Sequence, residues 1–288
     1  YIIASVRLLH AYVDCGSDHS KWINEELEVI EGMLEEYRAH KIRHYQQTQE
    51  KNRILRNLKD TGCFAIADWA AKRVGQTQAT AQKDGYGQKG RIAMHPFVVF
   101  RRATKEDDLG KYEGEQPRDI LICHRIIAVT NVSDFNAVDT VAMIEASMKA
   151  YSNIPGNQHI NEMVLKTDMA SDYATFLTPL VLFSSESFER SGAKIRLTQI
   201  LHSEPGEGKD ICDTTNGSMN RGLKNKRAAG ASMLTARELA VVAYSLHLPG
   251  TYILYEDGER PQAFADLLGR AEKLAISVRK KHLGDSAV

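Results

Sequence analysis

The rhythm of apolar and polar positions divides the chain into two kinds of segment. From about residue 20 to 59 apolar residues recur every three or four positions, with no proline and one glycine, Gly32, which predicts one long helix or two. After the Thr61-Gly62 break, short apolar runs at 63–67, 97–100 and 120–129 are bounded by turn formers or charge clusters and predict three strands. Helical spacing returns at 136–151, followed by a Pro155-Gly156 turn, a short apolar strand at 163–167, a helix at 170–183, a strand at 195–201 and a helix from Lys209. The order is β, β, β, α, β, α, β, α, in which a meander is followed by crossovers that demand parallel strands. That order predicts an α/β fold, a mixed sheet with helices on both faces.

Downstream, Thr235-Ala236-Arg237-Glu238 has the form of a helix-starting capping box. A strand-like run at 251–255 and a helix at 262–281 complete the chain. The expected division is a helical segment over 1–60, a core over 61–230 and a mostly helical extension over 231–288.

With 288 residues and 43% hydrophobic composition, the chain is long enough to bury a proper core. Lysine plus arginine and aspartate plus glutamate number 37 each, so a nucleic-acid partner has to be held by local patches. The 20–59 helix is acidic in its first half and basic in its second, a polarity that also suits the helix dipole. Cys15, Cys63, Cys123 and Cys212 are scattered, without a CxxC pair, and read as reduced thiols of a cytosolic or nuclear protein. No apolar stretch has the length of a membrane span and no secretory signal pattern opens the sequence, so the expectation is no membrane and no secretion.

The chemistry concentrates in three acids. Asp68 follows the run Cys63-Phe64-Ala65-Ile66-Ala67, and burying a lone carboxylate is costly unless it is paired or holds a metal. Asp168 repeats the arrangement after Met163-Val164-Leu165-Lys166-Thr167. Asp213 falls in the first turn of the helix after the last strand. Each has a plainer reading alone: a turn cap beside Lys72 or Arg73, a helix N-cap, and an acid at the positive end of a helix dipole. Together, in a sheet of this order, the three converge at one edge of the core. Such a set of hard oxygens suits a pair of Mg²⁺ ions bridging a phosphate.

The segments Ala65-Ile66-Ala67-Asp68-Trp69-Ala70-Ala71-Lys72, Leu165-Lys166-Thr167-Asp168-Met169-Ala170-Ser171-Asp172-Tyr173 and Ser203-Glu204-Pro205-Gly206-Glu207-Gly208-Lys209-Asp210-Ile211-Cys212-Asp213 resemble the three acidic blocks of eukaryotic cut-and-paste transposases of the DDE/DDD type. The third is the most specific, and His40, Arg43 and Gln47 ahead of the first acidic strand are also similar. The resemblance covers roughly residues 36–227. It implies an RNase H-like core, a mixed five-stranded sheet flanked by helices. It also implies catalytic and metal-binding aspartates at Asp68, Asp168 and Asp213, with Asp210 and Glu204 as alternatives for the third ligand. Two departures stand out: Met169 replaces the asparagine of many relatives, and Asp210 replaces a glycine or similar residue.

The implied activity is DNA phosphodiester cleavage and strand transfer with two Mg²⁺ ions, Mn²⁺ substituting, in a nuclear protein that can form homo-oligomers. The alternative is a domesticated core, nuclear or cytoplasmic, that binds DNA or protein without cutting. Lys209 at a helix start and the basic run Arg221, Lys224, Lys226 and Arg227 are the candidate DNA contacts. The Gly206-Glu207-Gly208-Lys209 stretch lacks the glycine spacing and Ser/Thr of an NTP-binding loop. His202, beside the third block, is a candidate supporting or proton-shuttling residue. Trp69 and Tyr173 read as core aromatics before base-stacking ones.

Overall fold

Six consecutive apolar or small residues with no charge among them make β1, Gly62–Ala67, a strand buried on both faces and therefore central. The structure, a computed structural model, describes residues 18–70, 92–107, 116, 119–131, 137–168, 177–183, 192–203 and 211–256. It divides into two compact units, Tyr1–Arg53 and Ile54–Val288.

The first unit holds most of helix α1, Asp18–Arg56, a single uninterrupted helix. Gly32 lies in it with open space around its backbone, so the glycine leaves no packing defect. Along this unit Val29, Met33, Tyr37 and Tyr45 are exposed, and Glu50 and Arg53 close a two-bond ion pair at 2.6 and 2.7 Å.

The second unit is built on one sheet in the order β5-β4-β1-β2-β3-β6. Its remaining strands are β2 (Ile92–Arg102), β3 (Leu121–Asn131), β4 (Glu162–Thr167), β5 (Arg196–His202) and β6 (Thr251–Glu256). β1, β2 and β3 form an antiparallel meander, β4 and β5 add in parallel beside β1, and β6 adds in parallel beside β3. The helices are α2 (Ala137–Ser152), α3 (Leu177–Leu182), α4 (Ile211–Ala228) and α5 (Ala236–Tyr244).

Alternation along the strands gives each face its own core. Cys63, Ala65, Ala67, Phe97, Val99, Met163 and Leu165 pack under α2 and α3. On the reverse face Phe64, Ile66 and Val98 meet Cys212 of α4, and Met94, Ile127 and Val129 meet Met219 and Leu223 of α4 and Leu239 and Ala240 of α5. Burying these side chains at about 25 cal/mol per Å² is the main force holding the layers together.

The structure corrects the sequence reading in two places. The sheet has six strands where five were expected, because the 251–255 run is a full strand; with α5, it makes the C-terminal extension part of the central layer. β2 is also much longer than 97–100. It runs through Pro96, a residue that ordinarily argues against a central strand. Residues 75–90, 169–176, 204–210 and 262–281, which include parts of the expected helices, lie outside the described residues.

Candidate metal centre

Pro96 determines where β1 ends. Asp68 N–H donates to the Pro96 carbonyl at 3.2 Å, but proline has no N–H to return the second bond of that antiparallel pair. The regular ladder stops at Ala67, and the chain continues alongside β2, with Ala70 N–H donating to the Met94 carbonyl at 2.9 Å. The acid therefore sits at the break, half-buried, in backbone that stays extended.

β1 and β4 run parallel, with Ile66 opposite Lys166 as their last register pair, and Asp68 and Asp168 each follow two residues beyond it. Neighbouring strands lie about 4.8 Å apart, and partners in a parallel pair point to the same face. Phe64 and Ile66 on one strand and Val164 on the other belong to the core under α4, which assigns both acids to that face. Ala70, two residues beyond Asp68, joins Met94 and Met219 on the same side.

Asp168 is set by its backbone. Thr167 pairs with His202 of β5, and the Thr167 Oγ1 lies 2.9 Å from His202 Nδ1 and 3.1 Å from the Asp168 carbonyl. His202 Nδ1 is itself 3.3 Å from that carbonyl. Ser203 donates to the Thr167 carbonyl twice, from N–H at 2.8 Å and from Oγ at 3.1 Å. His202 thus acts on the strand terminus that carries the acid.

α4 begins over the same region. Buried Cys212 places its Sγ 3.5 Å from the Ile66 carbonyl and 3.9 Å from that of Pro96. Asp213, the next residue, is exposed. Among the described residues no three of Asp, Glu, His and Cys come together closely enough to hold a metal, so Asp213 does not close a group with Asp68 and Asp168. Asp210, Glu204 and Lys209 lie outside the described residues. Arg221 and Lys224 are exposed and Lys226 and Arg227 half-buried in the second half of α4. Lys224 and Arg227 stand about three and four turns beyond Asp213, on its side of the helix.

Two residues invisible to sequence reasoning stand out here. Thr215 and Asn216 are buried on the sheet-facing stripe of α4, between Cys212 and Met219, over the stretch of sheet where Asp68 lies. Thr215 Oγ1 and Asn216 Oδ1 have no hydrogen-bond partner among the described residues. Their only signal in sequence is position: three and four residues after Cys212, where a helix repeats its buried face. Trp69, by contrast, points to the other face, where Nε1 donates to Thr140 Oγ1 at 3.0 Å and the ring meets that of His95 edge-on at 4.7 Å. It is a core aromatic. Tyr173 lies outside the described residues.

Two carboxylates just past neighbouring strand ends, with Thr215 and Asn216 on the helix above, are oxygen donors of the kind a hard divalent cation takes, and a cation there would need at least one further ligand.

No family model matches the chain, and no curated protein matches it. Two solved structures are similar. One is described as "Crystal structure of NurA bound to dAMP and manganese", 12% identical over 91% of this chain and 46% of that chain, with a TM-score of 0.17. The other, "Crystal structure of NurA", is 10% identical over 90% of this chain and 46% of that chain, with a TM-score of 0.19. This chain spans about half the length of those proteins. At such TM-scores the likeness carries no weight for fold or activity.

Proposed function

We propose that the chain carries an RNase H-like nuclease core of the DDE/DDD transposase kind, acting on DNA phosphodiester bonds with Mg²⁺, or Mn²⁺ in its place. The observation that carries the reading is that β1 and β4 are adjacent and parallel, with Asp68 and Asp168 each two residues past the last paired positions, Ile66 and Lys166. The strand order supports it, since an antiparallel meander extended by two parallel strands beside β1 is the arrangement that the resemblance implies.

In this reading Asp68 and Asp168 hold the cations, with Asp213, Asp210 or Glu204 as third acid. Divalent ions held there would supply activation of a water or 3′-hydroxyl and charge neutralisation at the leaving oxygen. The protein's own contribution is placement. Thr167 and His202 fix the backbone of Asp168, Asn216 and Thr215 orient ligands or water from α4, and Lys224 and Arg227 hold the backbone of the substrate.

The test is cleavage of a labelled DNA duplex by the full chain with Mg²⁺ and then Mn²⁺, alongside Asp68→Asn and Asp168→Asn, with Mn²⁺ binding followed by calorimetry. Metal-dependent cleavage lost in both variants supports the reading. DNA binding without cleavage or metal binding assigns the chain instead to the domesticated, non-cutting kind, a reading that the exposed position of Asp213 favours.

A further inference from the structure

The face that carries the acids has a second polar site at the opposite end of β4. Asn161, Glu162, Lys194 and Arg196 line an open cavity of about 400 Å³ at the amino ends of β4 and β5. Arg196 is the register partner of Glu162 on one side and Gly62 is its partner on the other. Gly62 carries no side chain, and Lys59 reaches Glu162 there, Nζ to Oε2 2.8 Å. The hydrogen bond from Lys59 and the positive charges of Lys59 and Arg196 hold the Glu162 carboxyl below its ordinary range. One carboxylate is thus set among three cations, Lys59, Lys194 and Arg196, and the site keeps an excess of positive charge.

The backbone at Lys194 adds an independent sign. Its φ is 55°, a left-handed conformation that a residue with a Cβ rarely adopts. Strain of this kind collects at ligand clamps. Geometry then links the cavity to the acids. Glu162, Val164, Lys166 and Asp168 follow one another on a single face of β4 by alternation, and six residues at about 3.3 Å each separate the cavity from Asp168 by roughly 20 Å. That span is roughly six base pairs of B-form duplex at 3.4 Å per step.

We infer that this cavity binds a backbone phosphate of the same nucleic-acid strand whose scissile bond is held at Asp68 and Asp168. The strand path rests on the nuclease reading; the phosphate site rests on the cavity, its charge and the strained lysine. Lys194 and Arg196 take the phosphate oxygens and Asn161 offers an amide N–H, while Lys59 keeps Glu162 from repelling the ligand.

The experiment measures binding of a fluorescein-labelled duplex to the full chain by anisotropy, in Ca²⁺ and over a salt series. The variants are Lys194→Gly, which removes the cation and relaxes the backbone, and Lys194→Gly with Arg196→Gln. The double variant is expected to bind about tenfold more weakly, with a salt slope reduced by about one, and to melt no lower than the parent. Unchanged affinity and slope would overturn the inference. So would inorganic phosphate that raises the Tm of the parent and not of the variant while DNA affinity stays the same, since the cavity would then take a free phosphate. Cleavage by the parent separates the two readings: if it never cleaves but loses DNA affinity when the lysine and arginine are changed, the phosphate site stands and the nuclease falls.

Discussion

Asn157 and Asn216 are both buried, and they stand toward opposite ends of β1 in opposite circumstances. Asn157 accepts from Arg101 Nε at 2.6 Å and donates to the Tyr151 carbonyl at 3.1 Å. Arg101, 1% exposed, closes two further bonds on Asp107 at 2.6 and 2.8 Å, and Asp107 also accepts from Thr104 N–H at 2.7 Å. These bonds hold the Asp107 carboxyl well below the usual carboxylate range. Charge at that end of the sheet is matched inside the protein, as buried charge must be. At the other end, Asn216 Oδ1 has no partner among the described residues. A buried polar group whose partners lie inside the protein explains a fold, and one without a partner among the described residues marks a place to look for a ligand.

The largest effects separate these ends. On the proposed nuclease reading, Asp68→Asn or Asp168→Asn is expected to lower metal-dependent cleavage on the order of a thousandfold, about 4 kcal/mol of transition-state stabilisation, with little change in Tm. A fall of several degrees in Tm, read by calorimetry without metal, would give the acid a structural role and erase the contrast. Arg101→Met should do the reverse, costing about 3–5 kcal/mol in urea unfolding by removing the charge that pairs with Asp107 and the donor to Asn157. Combining it with Asp107→Asn should recover part of that loss, and a double-mutant cycle measures how much.

Some of this was legible in the sequence. The acid after each of two short apolar runs was visible, and parallel pairing of those runs followed from the crossover order. The capping box at Thr235 is also present: Glu238 N–H donates to Thr235 Oγ1 at 3.2 Å, although Glu238 Oε2 reaches back to Leu234 N–H at 2.7 Å, one residue before the cap. Other features depend on tertiary partners that no local pattern carries. Arg101 looks like the charged boundary of a strand, yet it is buried because Asp107 and Asn157 fold back over it. Pro96 looks like a strand breaker, yet the bond it cannot make is the one opposite Asp68. Asn216 and Thr215 look like surface on a polar helix until the sheet beneath them is known.

The two asparagines sharpen the comparison further. Asn157→Leu removes partners of Arg101 and of the Tyr151 carbonyl, and should destabilise by about 1–3 kcal/mol. Asn216→Leu removes a buried oxygen without a partner among the described residues, and should leave stability unchanged or raise it by about 1 kcal/mol while reducing cleavage or Mn²⁺ affinity. Equal losses of stability from both, in matched urea titrations, would make Asn216 another closed contact and remove it from the site.

The smallest effect concerns one buried histidine near each end. His95 meets Trp69 edge-on, on the sheet face opposite the acids, and burial lowers its pKa to about 3. His124 lies between the rings of Tyr151 and Tyr252 at 5.7 and 5.9 Å, and burial, with the positive charge of Arg101, lowers its pKa to about 4 against a small opposing pull from Asp107. Both are neutral in the folded protein at pH 7. An unfolded chain takes up a proton near pH 6.5 at each, so the unfolded state binds more protons between pH 6.5 and about 4 and stability falls as the pH is lowered through that window. One proton corresponds to at most about 1.4 kcal/mol per pH unit. His124→Gln should remove up to one proton's share of the slope and leave the share due to His95. Denaturant titrations at half-unit steps from pH 7 to pH 4.5 measure the difference. A slope identical to that of the parent would mean that His124 is protonated as readily in the folded protein as in the unfolded one. The ring nitrogens, which have no hydrogen-bond partner among the described residues, would then have to reach water or Asp107, and the Arg101 end would be open after all.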